Sequence, residues 1–152
     1  MKIASKRGFS LSELLVVLLI MTITAIAIGV GISSAAKAYK DIKAGTESSI
    51  LCGTLATELS DTLRFATDVS AGGGAAVFTH RRYGQNISVN TRDGRVYAGD
   101  SPILSDTAYS EFFAEAEATY DGSLFTLIIT VFDVDGKAEL KTLELAVSPL
   151  ST

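Results

Sequence analysis

The residues best placed to do chemistry stand together at the amino end. Lys6 and Arg7 precede Gly8 and Phe9, and Glu13 follows shortly after. From there the chain runs nineteen residues, Leu14 to Ile32, without a charge. An ionised carboxylate at the mouth of such a run costs on the order of several kcal/mol if it lies unpaired in lipid. No basic side chain occurs from Phe9 through Ala36 to neutralise it. A free α-amino group on Phe9 would, and hydrolysis of the Gly8–Phe9 bond is the reaction that creates one.

The charge pattern fixes an orientation. Lys2, Lys6 and Arg7 flank the amino side of the apolar run, which keeps that end in the cytoplasm and puts the carboxyl-terminal part outside. Nineteen residues approach the roughly 20 that the hydrocarbon core of a bilayer requires. Without those three cations, ten basic residues face seventeen acidic ones. That balance disfavours nucleic acid as a partner, although Arg81, Arg82, Arg92 and Arg95 could form a local basic patch.

Other chemistries find little support. Cys52 is the single cysteine, so an intrachain disulfide is excluded, and its neighbours Leu51 and Leu55 suit a small buried residue. One Cys and one His cannot build a metal cluster, and His80, beside Arg81 and Arg82, reads as a surface or sheet-edge residue. No catalytic triad or carboxylate pair is recognisable, and neither cofactor nor metal is expected. The Gly72-Gly73-Gly74 run lacks the Gly-Lys-Ser/Thr sequel of a phosphate loop. Asp133-Val134-Asp135-Gly136 starts like a calcium loop without its remainder, and reads as a hairpin turn.

Two generic readings of the amino end remain beside the cleavage reading. A secretory signal has a shorter apolar stretch with a small-residue cut after it, for which Ser33 to Ala36 is the available site. A signal anchor that holds an extracellular binding module and never polymerises explains length and orientation. Neither explains Glu13.

The segment Lys6-Arg7-Gly8-Phe9-Ser10-Leu11-Ser12-Glu13-Leu14-Leu15-Val16-Val17 resembles the type III signal of type IV pilins and type II secretion pseudopilins. The resemblance implies recognition of Lys6, Arg7 and Gly8 by a prepilin peptidase, cleavage between Gly8 and Phe9, and N-methylation of Phe9. It implies an assembly role for Glu13, paired with the new amine of a neighbouring subunit. The implied partners are the peptidase, other pilin subunits in a homo- or hetero-polymer, an assembly platform with its ATPase, and membrane lipid before assembly. The implied location is the inner membrane, crossed once, and then a fibre at the cell surface or in the periplasm. The chain departs from many major pilins: its only prolines are Pro102 and Pro149, and Cys52 has no partner for a disulfide loop. A minor pilin or pseudopilin is therefore implied at least as strongly as a major subunit.

The elements that must position these residues follow from periodicity. From Ser33 to Asp68 there is no proline, and Tyr39, Ile42, Ile50, Leu51, Leu55, Leu59 and Leu63 recur at helical spacing. Gly45 and Gly53 lower the propensity, and two helices broken near Gly45 are the alternative. Val69 to Gly74 reads as a flexible link. Beyond it the period becomes two: a strand at 75–80, a hairpin of 87–91 and 95–98 around Arg92-Asp93-Gly94, and a three-stranded meander of 114–120, 124–132 and 138–147. Residues 108–118 suit either helix or strand, with a strand preferred from Ala114. The predicted fold is α+β and pilin-like, a long amino-terminal helix packed against a small antiparallel β-sheet. Its predicted parts are a leader (1–8), a transmembrane half-helix (9–33), an amphipathic half-helix (34–69) and a β-rich globular part (70–152).

Overall fold

The computed structural model describes residues 10–72, 74–109 and 111–150. One long helix, α1 (Leu11–Arg64), leads into β1 (Thr67–Gly72), β2 (Ala75–His80), β3 (Gly84–Ile87), β4 (Val89–Arg92), β5 (Arg95–Ala98) and β6 (Ser101–Pro102). A single turn, α2 (Asp106–Tyr109), precedes β7 (Phe113–Tyr120), β8 (Phe125–Phe132) and β9 (Glu139–Val147). The chain divides into two compact units, residues 1–42 and 43–152. α1 contributes to both.

In the first unit, every described residue is exposed, including all the large apolar side chains from Leu11 to Ile32. Thr22 and Thr24 donate their hydroxyls to the carbonyls of Leu18 and Ile20, at 2.7 and 2.8 Å. In an apolar surrounding such hydroxyls would otherwise be left without a partner. The residues from Leu14 to Ile32 extend about 28 Å as a helix, close to the roughly 30 Å of a bilayer core.

In the second unit, α1 turns Leu51, Cys52, Leu55, Ala56, Leu59 and Leu63 inward. These meet Phe78 from β2, Val96 from β5, and Phe125, Leu127, Ile129 and Val131 from β8, all in one buried cluster. β7 and β8 alternate buried and open positions because one face packs inward and the other meets solvent. The strands form three antiparallel three-stranded arrays, β1-β2-β3, β4-β5-β6 and β7-β8-β9, rather than one sheet. The meander was expected in its order and nearly in its limits. The helix-plus-sheet class was expected too.

Two local expectations are corrected. The helix ends at Arg64, not near Asp68, because its last turn tightens through Ala66 N–H to Leu63 O at 3.3 Å. The Arg64 carbonyl then accepts from Leu150 N–H at 2.8 Å, a contact across almost the whole second unit. The expected link at 69–74 is largely strand β1, paired with β2 through an irregularity between Thr67 and Ser70, where Asp68 takes φ 50°. Its residues have weak strand propensity, so pairing rather than composition makes it a strand. In the 108–118 stretch the preferred reading holds: α2 stops at Tyr109 and β7 runs from Phe113, one residue before the strand expected from Ala114. The alternative break near Gly45 is absent: α1 continues through Gly45 and Gly53.

Candidate processing and assembly site

Ser10 stands just before α1, and its carbonyl accepts the first helical hydrogen bond, from Leu14 N–H at 3.2 Å. Glu13 lies in the first turn. Its Oε2 accepts a hydrogen bond from the Ser10 backbone N–H at 3.1 Å. This is the reach-back half of a capping box, written in the sequence as Ser10-Leu11-Ser12-Glu13. The Ser10 and Ser12 hydroxyls are bonded to each other at 2.7 Å. The unpaired N–H groups of the first turn give this end partial positive charge, which favours a carboxylate there.

Glu13 is therefore not wholly without a partner, as the count of basic side chains suggested. It holds one local amide proton and the field of its own helix. A hydrogen bond to a charged group contributes about 1.5–3 kcal/mol. An ammonium about 4 Å away contributes about 4 kcal/mol at an effective dielectric near 20. The local bond can thus hold the carboxylate without outcompeting a true counter-ion. The signal was in the sequence, as a Ser followed three residues later by Glu ahead of an apolar run. The other site residues, Lys6, Arg7, Gly8 and Phe9, lie outside the described residues.

The second unit keeps its ionisable groups for structure. Cys52 is 1% exposed, and burial pushes its thiol up, opposed by the Lys141 ammonium. His80, at the end of β2, accepts from Arg82 N–H at 3.2 Å through Nδ1 and lies against the Tyr83 ring at 5.0 Å. Partial burial, then the Arg82 charge, pull its pKa down. The four arginines do not converge into one free basic patch. Arg92 is bonded to Asp100 at 2.9 Å, and Arg95 lies 3.6 Å from Asp106 and over the Tyr109 ring at 4.6 Å. Among the described residues, no cluster of three or more His, Cys, Asp or Glu side chains could hold a metal ion.

Residues 3–29 match the family model of the prokaryotic N-terminal methylation motif, the signature of type IV pilins and pseudopilins. No curated protein and no solved structure matches the chain. The motif and the uncovered apolar helix support a membrane-anchored precursor of pilin-like or pseudopilin-like type. Such a motif points to a structural subunit, processed by a prepilin peptidase and assembled with other subunits.

Proposed function

We propose that this chain is a minor pilin or pseudopilin of a type IV pilus or type II secretion-like fibre. The peptidase recognises Lys6, Arg7 and Gly8, cuts before Phe9, and the new amino terminus is methylated. Residues 9–33 then hold the protein in the inner membrane as a single span, with the carboxyl-terminal unit outside. Subunits leave the bilayer through an assembly platform and its ATPase, and their helices pack in the fibre core.

One observation carries this reading. The methylation motif over residues 3–29 coincides with a helix whose apolar side chains have no cover in their own unit and whose first turn holds Glu13. Lipid covers those side chains before assembly and neighbouring helices afterwards. Within the precursor, Ser10 N–H occupies the Glu13 carboxylate. In the fibre, the Phe9 ammonium of a neighbour takes it over, because a full charge outcompetes one amide dipole in low dielectric. The exchange sets the axial stagger of the subunits: any other register leaves a carboxylate and an ammonium apart in an apolar medium.

Glu13→Gln separates the two roles, since Gln supports a capping box without a charge. Both Glu13→Gln and Glu13→Ala are expected to be processed like the native chain. Both are expected to fall at least about tenfold in sheared fibres, the equivalent of about 1.4 kcal/mol. Native incorporation of Glu13→Gln would refute the charge exchange.

A further inference from the structure

The second unit carries eight basic and fifteen acidic residues between Lys43 and Thr152. Copies of it repel one another, so any contact between copies needs local complementarity. Three of the cations are already engaged: Lys43 with Glu47, Arg92 with Asp100 and Arg95 with Asp106. Arg81 and Arg82, adjacent on the turn between β2 and β3, have no carboxylate within ion-pair distance among the described residues.

That turn is held in shape. Tyr83 N–H donates to the His80 carbonyl at 3.2 Å, Arg82 N–H to His80 Nδ1 at 3.2 Å, and the Arg82 guanidinium lies 5.4 Å from the Tyr83 ring centre. Beside it Phe65, just past the end of α1, is 60% exposed, and Phe65, His80, Arg81 and Arg82 line one shallow groove. The uncovered ring shares this groove with two guanidiniums that have no carboxylate partner, Glu58 and Asp61 lining the adjoining groove beside Arg82, and the combination suits an apolar side chain flanked by carboxylates.

The same unit carries that complement elsewhere. On the open face of the meander, Glu117 of β7, Ile128 of β8 and Glu144 of β9 stand in one cross-strand row. All three are exposed, and Ile128 is 38% exposed. Neither glutamate has a cation within ion-pair distance among the described residues. Opposed side chains on neighbouring strands lie roughly 5 Å apart, so the carboxylates flank the isoleucine on both sides. Leu127 and Ile129, the neighbours of Ile128 in β8, point into the core.

From this complementarity we infer that the Arg81–Arg82 turn of one copy docks on the Glu117–Ile128–Glu144 row of a second copy of this chain. The inference rests on the fibre-subunit reading. The two surfaces are different patches, so the contact is head-to-tail. Repeated, it gives an open helical series rather than a closed dimer. Phe65 seats against Ile128, and the four charges set the rotation of one unit against the next.

The test is charge exchange in the full-length protein, expressed with its peptidase and assembly system. Arg81→Glu with Arg82→Glu, and separately Glu117→Arg with Glu144→Arg, are each expected to lower fibre incorporation at least about tenfold. The fourfold exchange is expected to restore it to within about twofold. Leader cleavage and protease resistance of the second unit are followed in parallel, so a folding failure is distinguished from a lost contact. Native incorporation of either double variant overturns the proposal. So does a fourfold exchange that folds yet remains as defective as the doubles, which assigns the turn to an acidic partner other than a second copy. Absence of the processed native chain from fibres would instead defeat the fibre-subunit reading, a result separate from these.

Discussion

Gly94 shows how far a single residue is constrained. It follows Asp93 in the two-residue turn between β4 and β5, and both take positive φ, 50° and 68°. Such a turn matches the twist of the flanking strands. A Cβ at Gly94 would stand 1.9 Å from Phe113 Cδ1. Gly94→Ala is therefore expected to destabilise the protein by about 2–4 kcal/mol in urea unfolding, backbone strain and overpacking combined. Asp121 and Asp133 cap the two turns of the meander, accepting from Ser123 and Leu124 and from Lys137 and Ala138 N–H groups. These bonds, led by those to Leu124 and to Ala138, lower both carboxyl pKa values from 3.8. A lowered folded pKa means the stabilisation is complete above the unfolded value and fades as pH falls through the folded one. Asn at both positions is expected to flatten the stability–pH curve below about pH 4, measured by thermal melts across that range. An unchanged slope would contradict the turn geometry.

At the scale of elements, α1 carries two different surfaces along one helix. In the second unit, Leu55 and Leu59 are fully buried. Leu59→Ala is expected to cost about 2–5 kcal/mol by leaving a cavity beneath the strands, read as a lower urea midpoint with unchanged slope. Gly53 is the opposite case. A Cβ there would meet nothing within 4 Å, and glycine in a helix interior costs about 0.8–1 kcal/mol relative to alanine. Gly53→Ala is expected to raise stability by up to about that amount. The helical face, the Asp-Gly hairpin and the meander were legible in sequence because each is set by local periodicity and turn chemistry. The end of α1 and strand β1 were not. The first depends on a carbonyl bonded to Leu150, and the second on pairing with β2 of a segment with little strand character. The capping role of Glu13 was legible in the Ser10-Leu11-Ser12-Glu13 spacing, although the missing counter-charge is the stronger signal there.

At the scale of the whole molecule, the two units answer to different solvents. The first has an apolar surface that only lipid or other helices can satisfy, while the second buries its own core under an acidic exterior. The apolar run was the most legible feature of the chain, because a long uncharged stretch needs no tertiary contact to declare itself. The separation of the strands into three arrays was hidden, since connectivity across loops leaves no periodic trace. Under the proposed function the division gives processing its purpose: the anchor serves the precursor, while a new ammonium exists only after scission. Mass spectrometry of the amino-terminal peptide, recovered from membranes of cells that possess the peptidase, tests this directly. The account predicts a chain beginning at N-methylated Phe9, and a native polypeptide still carrying Met1 through Gly8 would contradict it.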